Sequence, residues 1–202
     1  MTLRLTNPNL LTRIAWGYAL YLGFVLSSFA IGYFFLPRGA LLGTPWTYFG
    51  SVAALPTSLV GQLLTTVGFN LVFVLALGVG LNLQRVRGFP TGYIFIFSAA
   101  IVSGLTAGTN SFILQIISPY TLEGWLIALR IQHLELLGYT VIIASTISIG
   151  LSDFSSWFPW RAKSVKIQEW FEVRFTRQEV MGIVLGVFLV LLAGYNEAAL
   201  VF

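Results

Sequence analysis

Residues 131–151 decide the fold class, and they read IQHLELLGYTVIIASTISIGL. The run is apolar except for a few polar side chains, and two of these, His133 and Glu135, are ionisable. An ionisable side chain at the centre of a membrane helix costs roughly 2.5 to 3.5 kcal/mol, and such residues usually face a bundle interior, a cavity or a partner. We therefore expect a membrane-spanning helix here, with His133 and Glu135 as its candidate functional residues.

The composition of the whole chain indicates an integral membrane protein. Of its 202 residues, 57% are apolar and only 9% are charged, and the mean hydropathy is +0.86. This leaves too little polar surface to cover a soluble globule of that length. The chain has no cysteine, which excludes disulfides and iron–sulfur clusters.

Four other stretches also have the roughly 20 apolar residues that a membrane span needs. Together the five predict an all-α membrane protein that forms a single integral membrane domain over residues 1–202. The predicted transmembrane helices lie near 14–36, 60–83, 92–117, 131–151 and 180–200. We expect the first to be a retained helix and not a signal peptide, because no small-residue cleavage site ends it.

The basic residues predict the orientation of the bundle. With a cytoplasmic N-terminus, nine basic residues fall on the inner side: Arg4, Arg13, Arg85, Arg87, Arg161, Lys163, Lys166, Arg174 and Arg177. Only Arg38 and Arg130 fall on the outer side. Cytoplasmic loops carry an excess of Lys and Arg, so we expect the N-terminus inside and the C-terminus outside. The same scatter of charges along the ends of apolar runs argues against nucleic-acid binding.

Four polar side chains are predicted to lie in the outer half of the membrane as a polar cluster: Asn70, Asn110, His133 and Glu135. On one helix His133 and Glu135 point roughly 200° apart, so each needs its own partner. The simpler alternative is that the asparagines only hydrogen-bond neighbouring helices, at about 0.6 kcal/mol each, while Glu135 reaches interfacial water.

Two pairs of glycines predict close helix packing. Gly104 and Gly108 form a G-x-x-x-G pattern in the third span, and Gly182 and Gly186 form another in the fifth. This spacing allows two helix backbones to approach each other. We expect packing within the chain, with self-association as the alternative.

A short outer segment near 119–130 is predicted to be an interfacial helix. Ser118 is the expected N-cap and Pro119 the first helical residue. Apolar residues then recur at helical spacing on one face, at Leu122, Trp125, Leu126 and Leu129. The alternative is a re-entrant half-helix.

The long inner segment near 161–178 mixes basic and aromatic residues. Its candidate residues for docking a partner or the membrane surface are Trp160, Arg161, Lys163, Lys166, Trp170, Phe171 and Phe175. We expect an amphipathic helix on the membrane surface facing anionic headgroups. Apolar residues alternate along 165–176, however, which favours a strand that would need a pairing partner.

The middle of the chain resembles the stage II sporulation protein M family. The resemblance covers about 60–151 and rests on Asn70, the turn at 88–90, the sequence AGTN at 107–110 and QHLELLG at 132–138. It implies a fold of about five spans with an intramembrane asparagine and a histidine–glutamate motif. It also implies a role in holding partner proteins in the membrane, which in spore formers act on the cell wall.

The predicted function is therefore a non-enzymatic multi-pass scaffold or assembly subunit of a prokaryotic inner, intracytoplasmic or thylakoid-type membrane. Its expected partners are the lipid bilayer and other membrane proteins. One alternative is a subunit of a photosynthetic or other energy-converting complex, with His133 as an axial ligand to a chlorophyll-type tetrapyrrole. Another is the membrane subunit of a transporter. A bound lipid is also compatible with the sequence.

An enzyme is not expected. The chain has no Gly-x-Ser-x-Gly nucleophile motif and no phosphate-binding loop. One histidine beside one glutamate falls short of the three or four ligands of a metal site.

Overall fold

The computed structural model describes residues 2–44, 58–112, 118–158 and 161–201. Most of these residues are helical. The helices are α1 (Thr2–Leu5), α2 (Leu10–Phe35), α3 (Leu59–Phe73), α4 (Gly92–Gly108), α5 (Leu122–Arg130), α6 (Gln132–Ser145) and α7 (Arg177–Val201). The α3 helix continues as a π-helical turn over Val74–Val79.

Four stretches of helix are long and apolar enough to cross a membrane: Leu10–Phe35, Leu59–Val79, Leu122–Ser145 and Arg177–Leu200. Three of them overlap the predicted first, second and fifth spans closely. The Leu122–Ser145 stretch joins α5 and α6, so the predicted outer helix and the fourth span form one nearly continuous element. The α4 helix is apolar but has only 17 residues, and part of the predicted 92–117 span, residues 113–117, lies outside the described residues.

Side-chain caps explain where the long helices begin. At the start of α2, Asn9 Oδ1 accepts a hydrogen bond from the Thr12 amide at 3.3 Å. At the start of α7, the Glu179 amide donates to Thr176 Oγ1 at 3.2 Å, and the Thr176 amide donates to Glu179 Oε2 at 2.9 Å. This reciprocal pair is a capping box, which satisfies two backbone donors that a helix start leaves free.

The N-cap of α5 differs from the prediction. Thr121 caps this helix by accepting from the Gly124 amide at 3.1 Å, so the expected Ser118 cap is wrong. The hydroxyl of Ser118 instead accepts from the Tyr120 amide in the turn that precedes the helix. The signal was ambiguous because both residues belong to the small set of good N-caps.

The helices pack in two main pairs, α2 along α4 and α6 along α7, and α3 packs on α7. The core between them contains two fully buried tyrosines, Tyr21 and Tyr93, with Ile96, Ile142 and Ile143. The helix surfaces turned away from this core expose large apolar side chains, such as Phe34 and Leu64 at 73% and 68%. Such a surface suits contact with lipid and not with water.

The chain is mostly helical, as predicted, but it also has a small sheet at one end of the bundle that the all-α prediction did not include. Its described strands are β1 (Gln84–Val86), β2 (Phe89–Pro90), β3 (Ser152–Phe154) and β4 (Ser164–Lys166), in the order β2-β1-β3-β4. The β1–β2 hairpin turns on Arg87 and Gly88, both with positive φ, which matches the right-handed twist of paired strands. β3 then pairs parallel to β1, and β4 pairs antiparallel to β3.

The expected surface helix over 161–178 is also wrong. The segment contains the strand β4, a 3-10 turn at Trp170–Glu172 and connecting residues, until α7 begins at Arg177. The alternating pattern was the correct signal for residues 164–166. Pairing with β3 supplies the partner that a lone strand at a membrane surface lacks.

The sheet marks one end of the bundle, which we call the sheet end. Helices α2, α4 and α7 begin there, while α6 and the π-helical extension of α3 finish there. Buried Asn82 fixes this end, because its amide nitrogen donates to the Ile143 carbonyl at 2.9 Å and its amide oxygen accepts from the Gly92 amide at 3.1 Å. At the opposite end, the far end, the Gly39 amide donates to the Thr109 carbonyl at 2.8 Å.

Candidate functional site

Glu135 lies in a group of polar side chains between three helices. Its Oε1 accepts a hydrogen bond from the Tyr139 hydroxyl at 2.5 Å, one turn further along α6. The Asn70 side chain of α3 interacts with the same carboxyl group. The structure thus brings two residues of the predicted polar cluster together.

A second carboxyl group extends this polar group. Glu197 of α7 is close enough to Glu135 for the two charges to interact, and its carboxyl group interacts with the side chain of Thr66. The side-chain amide of Gln62 donates to Thr66 Oγ1 at 3.2 Å. We call Gln62, Thr66, Asn70, Glu135, Tyr139 and Glu197 the intramembrane polar network.

Four members of this network were not predicted from the sequence, Gln62, Thr66, Tyr139 and Glu197, although a signal was present for two of them. Gln62, Thr66 and Asn70 recur at every fourth position, which places them on one face of α3. Glu197 was overlooked because it is a single acid near the end of the predicted fifth span. Its partnership with Glu135 depends on how α6 and α7 pack, which the sequence does not state.

His133 points away from Glu135, as the helical geometry predicts. Its Nδ1 forms a hydrogen bond of 3.1 Å with the hydroxyl of Tyr21 on α2. The Tyr21 ring is fully buried and stacks on Tyr18 with centroids 5.3 Å apart. His133 is therefore fixed at the α2–α6 contact, while Glu135 faces α3 and α7.

Asn110 lies apart from these residues in the fold. The α4 helix ends at Gly108, so Asn110 follows its C-cap and has a φ of 50°. Asparagine tolerates this left-handed conformation better than most residues. The prediction that Asn110 lies inside a helix is wrong, and the structure places it in the turn at the far end.

A cavity of about 310 Å³ lies at the far end of the bundle. Residues from α2, α4, α5, α6 and α7 line it, and most of them are apolar or aromatic. His133 and Glu197 both contribute to its wall, together with Phe29, Trp125 and Gln132. The cavity therefore connects the two halves of the site, the His133 contact and the polar network.

The glycine motifs lie at helix contacts within the chain. A Cβ atom on Gly104 would come within 2.4 Å of the Val25 carbonyl oxygen on α2, and one on Gly108 within 2.3 Å of the Phe29 carbonyl oxygen. A Cβ on Gly186 would come within 2.8 Å of the Gly138 carbonyl oxygen on α6. A Cβ on Gly182 would instead meet a side chain, coming within 2.1 Å of Ser145 Oγ on α6. Only glycine allows backbones to come this close.

The predicted docking residues lie at the sheet end on a surface that we call the sheet-end surface, residues 155–158 and 161–176. The side chains of Arg161, Lys163, Lys166, Trp170, Phe171 and Phe175 are all exposed there, and Trp160 lies outside the described residues. Val165 and Phe171 are 65% and 73% exposed. An ion pair joins Lys166 to Glu169.

One buried ion pair, between Arg13 and Glu179, was not predicted. The Arg13 guanidinium donates to Glu179 Oε1 at 3.2 Å, and both side chains are 6% exposed. The pair joins the first turns of α2 and α7 at the sheet end. The sequence predicts only a topology role for Arg13, because a partner 166 residues away cannot be inferred from either position alone.

These features define a class: a multi-helical protein with membrane-length apolar helices, a buried polar network and a small sheet at one end. Within the described residues, no group of three or more His, Asp or Glu side chains could hold a metal ion. Comparison of the chain with protein-family models, curated proteins and solved structures gave no significant match. The resemblance to the stage II sporulation protein M family therefore stays a prediction from the sequence.

Proposed function

We propose that this protein is a non-enzymatic integral membrane scaffold that holds a partner protein on its sheet-end surface. In this proposal five helices cross the membrane, the N-terminus and the sheet lie on the cytoplasmic side of a prokaryotic membrane, and the C-terminus lies outside. The single observation that carries the proposal is the edge of strand β4, which pairs with no further strand among the described residues. This edge belongs to a surface that exposes large apolar side chains.

The backbone hydrogen bonds show which N–H and C=O groups of β4 point away from β3. The Ser155 amide donates to the Lys163 carbonyl at 3.0 Å, and the Ile167 amide donates to the Leu151 carbonyl at 2.8 Å. The backbone N–H and C=O groups of the odd-numbered residues in and beside β4 therefore point towards β3. In an antiparallel ladder the intervening residues, Ser164 and Lys166, direct their backbone groups to the opposite side.

An open strand edge favours a protein partner over lipid. The backbone N–H and C=O groups of an edge strand form a template for another strand, and proteins use this template to capture extended peptides. Lipid headgroups cannot supply a matching row of donors and acceptors. The sheet order places β4 at this edge.

The sheet-end surface is held in place, which favours a docking role. The side-chain amide of Gln168 donates to the Ser148 and Gly150 backbone carbonyls at 2.7 and 3.1 Å. The Lys163 amide donates to Ser155 Oγ at 3.0 Å. The chain thus presents Trp170 and Phe171 to solvent from an ordered backbone, and exposed aromatics on a pre-organised surface are typical of binding sites.

Charge indicates the chemistry of the partner. The segment from 161 to 177 carries five basic residues, Arg161, Lys163, Lys166, Arg174 and Arg177, against the two acids Glu169 and Glu172. A complementary partner is an acidic, extended segment of another protein with apolar side chains for the exposed aromatics. The pigment-binding and transporter alternatives stay predictions.

Two variants at one position test the proposal. Ser164→Pro removes a backbone N–H from the open edge of β4 without removing a hydrogen bond to β3, because Ser164 faces outward. Ser164→Ala removes the same hydroxyl but keeps the N–H. Each full chain is purified from its native membrane after mild crosslinking, and copurifying proteins are measured by quantitative mass spectrometry.

We expect Ser164→Ala to retain the wild-type partner and Ser164→Pro to lose most of it. Equal recovery with both variants would overturn strand addition at this edge. Recovery of no copurifying protein with any of the three chains would overturn the scaffold. Circular dichroism of the purified variants checks that each is folded.

A further inference from the structure

We propose that the far-end cavity binds a small organic ammonium ion, a protonated amine with an aromatic or branched apolar substituent. This site lies at the opposite end of the bundle from the sheet-end surface and does not depend on the scaffold proposal. The inference combines the charge, the aromatic lining and the hydrogen-bonding groups of one cavity.

The charge of the residues in the cavity wall favours a cation as the ligand. Glu197 lies in the cavity wall, and Glu135 is near enough to it to interact. None of the lining residues is a lysine or an arginine. The ion pairs found among the described residues use other acids, Glu179 and Glu169. A cation bound in the cavity would be attracted by the Glu197 carboxylate, whereas an anion would be repelled by it.

The aromatic walls suit the same ligand. Phe29 and Trp125 both line the cavity and pack against each other, with ring centroids 5.4 Å apart and planes inclined at 60°. Aromatic faces attract ammonium groups, most strongly where water is excluded. The remaining walls are mainly apolar, which favours an amine with an apolar body over a hydrated metal ion.

His133 adds one hydrogen-bonding position. Its side chain is only 7% exposed and contributes to the cavity wall. The Tyr21 hydroxyl is hydrogen-bonded to Nδ1. No hydrogen bond to Nε2 is found among the described residues. Because His133 lines the cavity, Nε2 is a position that a polar group of the ligand can reach.

The cavity size limits the ligand. At about 310 Å³ the space falls at the small end of the range for ligand pockets, roughly 300 to 1,000 Å³. This suits an amine with a single ring and not a large cofactor. The first probe is therefore benzylamine, with benzyl alcohol as its neutral isostere and benzoate as its anionic counterpart.

Isothermal titration calorimetry of the full chain in zwitterionic lipid nanodiscs measures the Kd of the three probes. We expect benzylamine to bind at least about tenfold more tightly than benzyl alcohol, since a hydrogen bond to a charged group is worth that factor or more. Benzoate should show no binding. Equal affinity for amine and alcohol, or no binding of benzylamine to the wild-type chain, would overturn the proposal without recourse to any variant.

Paired variants then locate the site. Glu197→Gln should weaken benzylamine binding by about tenfold and leave benzyl alcohol unaffected. Glu123→Gln, on the exposed surface of α5, is the matched control and should bind as the wild type does. If both variants bind benzylamine equally well, the amine does not contact Glu197 and the assignment fails. Thermal unfolding in the same nanodiscs checks that both variants are folded.

Discussion

Arg13 and Glu179 show how two single residues hold the starts of two distant helices together. Both side chains are buried, and Glu179 also accepts from the Thr176 amide and hydroxyl. Burying either charged side chain without the other costs free energy, because an isolated charge loses its hydration. The pair is therefore expected to depend strongly on the presence of both members.

Arg13→Met should destabilise the protein by about 3 to 5 kcal/mol, because it leaves the Glu179 carboxylate buried without its cation. The second change Glu179→Gln should recover part of this loss, since it removes the uncompensated charge. The measurement is the free energy of unfolding in mixed micelles of mild detergent and dodecyl sulfate. Lys166→Met breaks the exposed pair with Glu169 and should cost less than about 1 kcal/mol. If Arg13→Met and Lys166→Met lowered the free energy of unfolding equally, this would contradict a structural role for the buried pair.

At the scale of elements, the contact of α2 with α4 depends on glycine. Gly104 approaches the backbone of α2 so closely that even a methyl group would meet both Ser28 Oγ and the Val25 carbonyl oxygen, at 2.0 and 2.4 Å. The sequence spacing predicted a close contact but could not name the partner helix. That depends on which apolar faces meet, and both helices are apolar on nearly every side.

Gly104→Ala should lower the free energy of unfolding by about 1 to 3 kcal/mol, the usual cost of overpacking a tight contact. The matched control is Gly68→Ala on α3, where an added Cβ meets nothing within 4 Å. This control should be neutral or slightly stabilising, because alanine is the better helix former. The same unfolding measurement in mixed micelles compares the two. An unaltered stability of the Gly104→Ala chain would show that the α2–α4 contact is looser than described.

Strands were harder to predict than helices for a physical reason. The apolar length of a span is a local property, so α2, α3 and α7 could be located from the sequence. The parallel pairing of β1 with β3 joins residues 68 positions apart, at Arg85 and Asp153, and each strand has only three residues. Such short strands give no periodic signal, and only the longer alternation around β4 was visible.

At the scale of the whole molecule, the candidate site could be predicted in part. The histidine–glutamate pair and Asn70 stood out because polar side chains are rare in membrane spans. Glu197 and the cavity did not, since they arise from the packing of five helices. The two ends of the bundle therefore differ. The far end has two neighbouring acids and a cavity, whereas the sheet end has a basic surface and an edge strand.

The membrane topology on which the scaffold proposal depends is tested most directly by cysteine labelling, since the chain has no native cysteine. Ser118→Cys at the far end and Ser164→Cys at the sheet end are matched exposed substitutions. Each is treated with a membrane-impermeant maleimide in spheroplasts, before and after permeabilisation. We expect the Ser118→Cys chain to be labelled in intact spheroplasts and the Ser164→Cys chain only after permeabilisation. Labelling of the Ser164→Cys chain in intact spheroplasts would place the sheet outside the cell and contradict a cytoplasmic docking surface.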